Sequence, residues 1–387
     1  MNTGRLDYIR LLDLTLFRLW YFWYQIKHIN APFPQNKFLN PQDYQTSRIL
    51  ILRPGGIGDA LLTLPFFKEL KKLLPQAKID VLVMKRNAGI IKNFPYFEKI
   101  LIIDERKSLL ANLRHLKKQR YHLCFNLDQA KYDYITPVLC GFTKSDQMIG
   151  FDIKKRARFY THRVVYKTEE YEPQSLMNLL NYLKKEQTAV QISDLLHPQK
   201  EQFVNEAKAL LPQYQLPENF LSLSLGALKK ENKFPRAKEQ ALIEKLSRLS
   251  CPLVFLGGAE DRVEVQKITE NLKNKTYNLC GQLSLSESLG MMGLSKGFVG
   301  YDAGPLHMAI AMNCKTVSVW GPTVRAKWGP PTSSSHLCLV TKTPYAPCWY
   351  HKFPNNLNHS LCRGECLAEI SIEQILNAVK KTLIPSL

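Results

Sequence analysis

From Arg48 onward, short apolar runs alternate with longer segments in which apolar positions recur every three or four residues. Arg48–Arg53 (RILILR) has the length and apolar content of a buried strand. Residues 59–74 follow with helical spacing, Leu61, Leu62, Pro65, Phe66 and Leu70 on one side and Lys68, Lys71 and Lys72 on the other. Residues 79–84 read as strand again, then a polar helix, then strands over 99–104 and 121–127. Residues 165–217 hold long helical stretches with few strand signals, and 187–198 read as a polar connection. The alternation then restarts. Strands are expected over 220–225, 252–256, 277–280, 298–301 and Thr316–Trp320, with helices over 236–248, 260–272, 284–296 and 305–312. Strands alternating with crossover helices imply parallel sheets. Two such series without a detectable sequence repeat describe a pair of doubly wound domains facing each other. In such sheets ligands bind beyond the carboxyl ends of strands, so the strand-to-helix turns are where chemistry is sought.

A length of 387 residues suits two domains rather than one core. Hydrophobic content of 45% and charged content of 22% are normal for globular protein. The net charge of +20 is lopsided: residues 1–200 carry 32 basic and 18 acidic side chains, residues 201–387 carry 21 and 15. A basic first half points to an anionic partner such as a phosphorylated glycolipid, a membrane surface or nucleic acid, or else to a solvated lysine-rich surface. No aromatic-basic recognition module or zinc finger accompanies the charge, which argues against nucleic acid. Nine scattered cysteines fit buried free thiols in a reducing compartment. Residues 11–26 (LLDLTLFRLWYFWYQI) are too short and too interrupted by Asp13 and Arg18 to span a membrane. Their aromatics and flanking arginines read either as an interfacial anchor or as a helix packed on protein.

Five turns carry candidate chemistry. The first, Arg53-Pro54-Gly55-Gly56-Ile57-Gly58-Asp59, combines three glycines with a following helix. It is neither the dinucleotide fingerprint nor a P-loop, since Leu61 stands where the third glycine would and no Lys-Ser/Thr pair follows. Asp59 reads as a helix N-cap or as a general base. The second turn (226–235, GALKKENKFP) places Lys229, Lys230 and Lys233 beyond a strand, for phosphate or for solvent. In the third, Gly257-Gly258-Ala259-Glu260-Asp261, Glu260 could accept from a ribose diol or complement a helix dipole. The fourth, Val299 to His307 (VGYDAGPLH), leads from strand to a helix with Pro305 in its first turn. Backbone N–H groups around Gly304, Leu306 and His307 suit a diphosphate, and His307 reads as a phosphate donor or as a buried core histidine. The fifth, Gly321-Pro322-Thr323, ends the next strand.

Taken in order, these turns resemble glycosyltransferase family 9, the ADP-heptose:lipopolysaccharide heptosyltransferases, over about residues 48–330. The segments that carry the resemblance are GYDAGPLHMAIAMNCKTVSVWGPT (300–323) and RPGGIGDALLTLP (53–65). The chain departs from the family at Ala303, where a hydroxyl residue is usual, and at Asn232-Lys233-Phe234-Pro235, where the usual Lys-x-aromatic-Pro has its lysine one place late. The resemblance implies an α/β protein of the GT-B fold, two Rossmann-like domains across a cleft. Residues 1–46 would be an extension and connector, 47–198 the acceptor-binding domain, 199–370 the nucleotide-sugar-binding domain, and 371–387 a closing helix, of the kind that often packs back on the first domain. It implies Asp59 as catalytic base, with Arg53, Gly55, Gly56 and Gly58 forming the acceptor-side turn. Lys233 or Lys230, Glu260, Asp302, Ala303, Gly304, His307, Gly321 and Thr323 would bind the donor. The implied activity is inverting, metal-independent transfer of a sugar, a heptose from ADP-heptose, to a lipopolysaccharide or related anionic glycolipid. No cofactor or metal is expected, and no Asp-x-Asp motif occurs. The expected location is the cytoplasm, peripheral to the inner face of the cytoplasmic membrane. An epimerase-like GT-B enzyme and a non-catalytic protein binding anionic membranes are the alternatives. Cys348, Cys362 and Cys366, near His351 and His359, have a spacing that matches no standard zinc site and read as buried thiols or a loop brace rather than as zinc ligands.

Overall fold

The computed structural model describes residues 37–104, 120–129, 143, 145–153, 157, 159–186, 188–227, 232–272, 276–331, 333–344, 346–348 and 365–384. The aromatic stretch 11–26, Lys229, Lys230, His351, His359 and Cys362 lie outside them. The chain divides into two compact units. One is built from the segment ending at Gly56, Pro65–Lys167 and Pro173–Ala189, the other from Ile57–Leu64, Thr168–Glu172 and Val190 onward.

The first unit holds strands β1 (Arg48–Arg53), β2 (Lys78–Met84), β3 (Lys99–Ile103), β4 (Leu123–Asn126), β5 (Gln147–Phe151) and β6 (His162–Val164), in the order β3-β2-β1-β4-β5-β6. The second holds β7 (Leu221–Leu223), β8 (Leu253–Phe255), β9 (Thr276–Asn278), β10 (Gly297–Tyr301), β11 (Thr316–Trp320) and β12 (His336–Val340), in the order β12-β11-β10-β7-β8-β9. Every pairing is parallel. Counted within its own unit, each sheet reads 3-2-1-4-5-6, the doubly wound order. The repeat that the sequence hides is thus a repeat of topology. The central strands are buried on both faces, as crossover helices require, which is why they read as continuous apolar runs. Strands β5, β6 and β12 were not expected. β6 is three residues long, and β5 contains Gly150, whose missing side chain leaves room for the Tyr160 ring.

The expected helix over 59–74 is two helices, α1 (Ile57–Leu61) and α2 (Leu64–Leu73). Pro65 has no N–H to give the Leu61 carbonyl, so the ladder stops there. The Thr63 hydroxyl donates instead to the Asp59 carbonyl at 2.7 Å. The boundary between the units falls at the same place, so that Asp59 belongs with the second unit.

Further along run α3 (Arg236–Ser247), α4 (Arg262–Thr269), α5 (Leu285–Leu294), α6 (Gly304–Ala311), α7 (Arg325–Trp328) and α8 (Ile372–Leu383). α5 and α8 open with reciprocal caps, Ser284 with Glu287 and Ser371 with Gln374, which fixes their starts. On α8, Ile375, Val379 and Leu383 join the second unit's core. Gly297 on β10 admits Leu383, since a Cβ there would overlap its side chain.

Candidate active site

β7 and β10 are neighbours at the point where strand order reverses in the second unit, and the turns beyond them carry the expected donor residues. β10 ends at Tyr301; Asp302 and Ala303 follow, and α6 begins at Gly304. Ala303 takes the N-cap position in extended conformation (φ −156°, ψ 172°) and offers no side-chain cap. Its carbonyl accepts the Leu306 N–H at 3.0 Å, so that amide is already used, and Pro305 has none. Residues 306–311 are buried, which ties the orientation of the helix start to the core.

α1 lies against α6. A Cβ on Gly58 would stand 2.6 Å from His307 Cδ2, so the imidazole rests on bare backbone. A Cβ on Gly304 would meet Ile57 at 3.4 Å, an ordinary contact, so packing does not demand glycine at 304. Asp59 is the third residue of α1, not its cap, and its charge acts on both Asp302 and His307. His307 Nε2 lies 3.9 Å from Asp302 Oδ1. Burial raises the Asp302 carboxyl to about 6, with the Thr323 hydroxyl holding it down and Asp59 pushing it further up. Burial lowers His307 to about 4, against the pull of Asp59. His307 is therefore neutral at pH 7, and its contact with Asp302 is a dipole beside a charge, not an ion pair. Its Nδ1 is buried with no hydrogen-bond partner among the described residues.

Asn232 and Phe234, in the described part of the segment after β7, are held against this site. Asn232 Nδ2 donates to the Asp302 carbonyl at 3.1 Å. Phe234 N–H donates to Tyr301 Oη at 3.3 Å, and Tyr301 Oη donates to Glu239 Oε1 at 2.7 Å. The Phe234 and Tyr301 rings meet edge to face at 5.5 Å. Glu239, buried on α3, is pushed up to about 7 by desolvation, with the Tyr301 hydrogen bond and Lys233 opposing. Lys233 is not turned to Asp302; its amine pairs with Glu264 on α4 at 2.8 Å. The amine expected on phosphate thus has a carboxylate partner already.

At the end of β8, Glu260 is exposed, whereas Asp261 Oδ2 accepts the Gly258 N–H at 3.0 Å. A Cβ on Gly226 or on Gly257 would stand 2.5 Å from that same oxygen, so Asp261 sits in a glycine-walled recess. Thr323 is near enough to lower the Asp302 carboxyl, but its buried Oγ1 makes no hydrogen bond of normal geometry among the described residues. Gly321 serves packing: its Cβ would stand 2.8 Å from Cys366 Sγ and from Leu367. In the first unit, Arg53 is buried and donates to the Leu127 carbonyl at 2.7 Å, so it braces the turn. Gly55 O accepts from Arg86 and Arg53 O from Asn87, at 3.2 and 3.0 Å. Sequence reasoning missed Asn232, Glu239, Tyr301 and Asp261 as site-building residues. Asp261 alone left a signal, a carboxylate three residues after Gly258. Among the described residues, no group of three or more His, Cys, Asp or Glu is placed to hold a metal ion.

A helix start beside a buried carboxylate, on a doubly wound sheet, with an adjoining carboxylate on α1, is a geometry for handling a diphosphate ester. The model of glycosyltransferase family 9 (heptosyltransferase) matches residues 110–356. The chain belongs to glycosyltransferase family 9. It is similar to lipopolysaccharide heptosyltransferase 3 of Escherichia coli, 24% identical over 289 residues, which are 70% of this chain and 83% of that protein. A family 9 glycosyltransferase from Veillonella parvula superposes with a TM-score of 0.72 at 20% identity, covering 88% of this chain and 97% of that one. An Escherichia coli heptosyltransferase solved with ADP gives 0.64 at 15% identity, covering 87% and 99%. The fold is the expected α/β GT-B fold, and the protein is a glycosyltransferase.

Proposed function

We propose that this family 9 enzyme moves a heptose from ADP-heptose to an anionic lipopolysaccharide-type glycolipid, with inversion and without a metal. One observation carries the reading: Asp59, Asp302 and His307 are gathered at the start of α6 within a single unit. The related proteins act in name on lipopolysaccharide, and one of the similar structures was solved with ADP. The donor diphosphate lies at the α6 start, where the helix dipole favours negative charge and Gly304 leaves close approach open. Asp59 takes the proton of the acceptor hydroxyl as its oxygen attacks the anomeric carbon from the side opposite the diphosphate. Charge building on the leaving diphosphate is met by the helix start and by the Thr323 hydroxyl. Neutral His307 contributes a ring N–H as a hydrogen-bond donor. Asp261 and Glu260, at the end of β8, take the nucleoside side. The basic first half of the sequence suits an anionic acceptor and peripheral attachment to the inner membrane face from the cytoplasm. Among the described residues no helix is long and apolar enough to cross a membrane.

A thermal-shift panel of ADP-, UDP- and GDP-sugars tests this directly, because a ligand at about 100 times its Kd stabilises by about 2.7 kcal/mol. ADP-heptose should give the largest shift, and transfer to a deacylated lipopolysaccharide acceptor should persist in EDTA. No shift with any of the sugars, or activity lost in EDTA and restored by magnesium, would overturn the donor or the metal-free half of the reading respectively.

A further inference from the structure

Two consecutive side chains of the loop after β7 part company. Asn232 turns toward β10, where Nδ2 meets the Asp302 carbonyl at 3.1 Å. Lys233 turns toward β8, where Nζ meets Glu264 at 2.8 Å and also offsets Glu239 and Asp261. The sheet order explains the parting, since β7 lies between β10 and β8. Phe234 then locks it: its N–H is held by Tyr301 Oη and its ring packs on Tyr301, with the Lys238 amine 4.7 Å above the ring centre. Sliding the loop by one residue to bring Lys233 beside Asp302 would break each of those contacts.

Asn232 keeps an unused acceptor. Its Oδ1 is buried and has no hydrogen-bond partner among the described residues. The amide orientation is fixed by chemistry, because Oδ1 facing the Asp302 carbonyl would set two acceptors against each other. An amide oxygen only accepts, and so does an ionised phosphate oxygen; the complement of Oδ1 is therefore a donor group, and the donors of a sugar are its hydroxyls. Asp302, which Asn232 touches, is within electrostatic reach of Asp59, whereas Lys233 lies among the carboxylates on the β8 side. With the diphosphate at the α6 start as proposed, a hydroxyl at Asn232 would stand on the side where Asp59 acts on Asp302.

We infer that Asn232 is a specificity-determining residue for the donor, accepting through Oδ1 a hydrogen bond from a hydroxyl of the transferred sugar. Lys233 remains the counter-ion of Glu264 and does not contact the diphosphate. The inference rests on the transfer reading and deepens it. Calorimetric titration of the full chain with ADP and with ADP-heptose tests it in wild type, Asn232→Ala and Lys233→Met, each first checked for a cooperative melt. Asn232→Ala should bind ADP within about twofold of wild type and ADP-heptose about tenfold more weakly, the loss of one neutral hydrogen bond. Lys233→Met should leave both affinities within about twofold and lower the melting temperature. ADP-heptose affinity untouched by Asn232→Ala, or ADP affinity lost about tenfold in Lys233→Met, would overturn the assignment while leaving the transfer reading intact. Wild-type protein that binds neither probe would bring down the ADP-heptose reading and this assignment with it.

Discussion

Replacing Gly58 with alanine should displace the His307 imidazole. The new methyl would stand 2.6 Å from Cδ2 and 3.3 Å from Nε2. Carbon atoms in contact sit about 3.5–4.0 Å apart, so the ring or the α1 turn must yield by about 1 Å. The His307 side chain is 7% exposed, which leaves it no solvent-side escape. Overpacking of this kind costs about 1–3 kcal/mol. A clash-free Gly→Ala change in a helix is instead favourable by about 0.5–1 kcal/mol, so the sign of the effect is informative. Misplacement by about 1 Å near the reacting groups should also lower kcat/KM by about 10²-fold. Removing the ring makes room for the methyl, so Gly58→Ala in a His307→Ala background should lose its cost. The assay is a double-mutant cycle on denaturant unfolding, with kcat/KM measured for wild type and Gly58→Ala. Costs that agree within about 0.5 kcal/mol in the two backgrounds would refute the steric reasoning.

Two further outcomes follow from buried charge. Asp302 titrates near 6 in the folded protein against an ordinary 3.8, so its ionisation costs stability progressively from about pH 4 to pH 6 and fully above that. Asp302→Asn should therefore stabilise the protein at pH 7 by up to about 3 kcal/mol, with the gain vanishing below pH 4; unfolding at several pH values checks it, and a gain independent of pH contradicts it. Lys327 on α7 and Glu172 form an ion pair at 3.1 Å with side chains 1% and 0% exposed. Lys327→Met removes the cation facing that buried carboxylate and should cost about 3–5 kcal/mol, while adding Glu172→Gln should recover most of it; equal losses in single and double variants would rule out the pair as the cause.

How far the sequence led differs from element to element. Arg48–Arg53 and Thr316–Trp320 were legible to the residue because a strand buried on both faces is dominated by apolar residues. β6 was not, since an edge strand of three residues leaves little apolar signal, whereas β12 (HLCLV) went unread although its composition carried one. The turn at 300–304 announced itself through glycine, proline and their order. Asn232, Tyr301 and Glu239 carried no such mark, because their roles come from contacts 62 to 70 residues away in sequence. Lys233 misled for a related reason. A lysine in a loop advertises charge, but its direction is set by Phe234 and by the carboxylates on α3 and α4, none of which the local spacing reveals. The start of α8 is marked locally by the Ser371–Gln374 cap, whereas its packing on β10 depends on Gly297, a residue remote in sequence.

In the proposed mechanism the carboxylate at 59 acts on chemistry at the start of α6. Single-turnover transfer by Asp59→Ala, with ADP-heptose affinity measured on the same preparation, tests it most directly. Donor affinity should stay within a few-fold of wild type and the transfer rate should fall by about 10²- to 10⁴-fold, the worth of a general base. Transfer at the wild-type rate would contradict it.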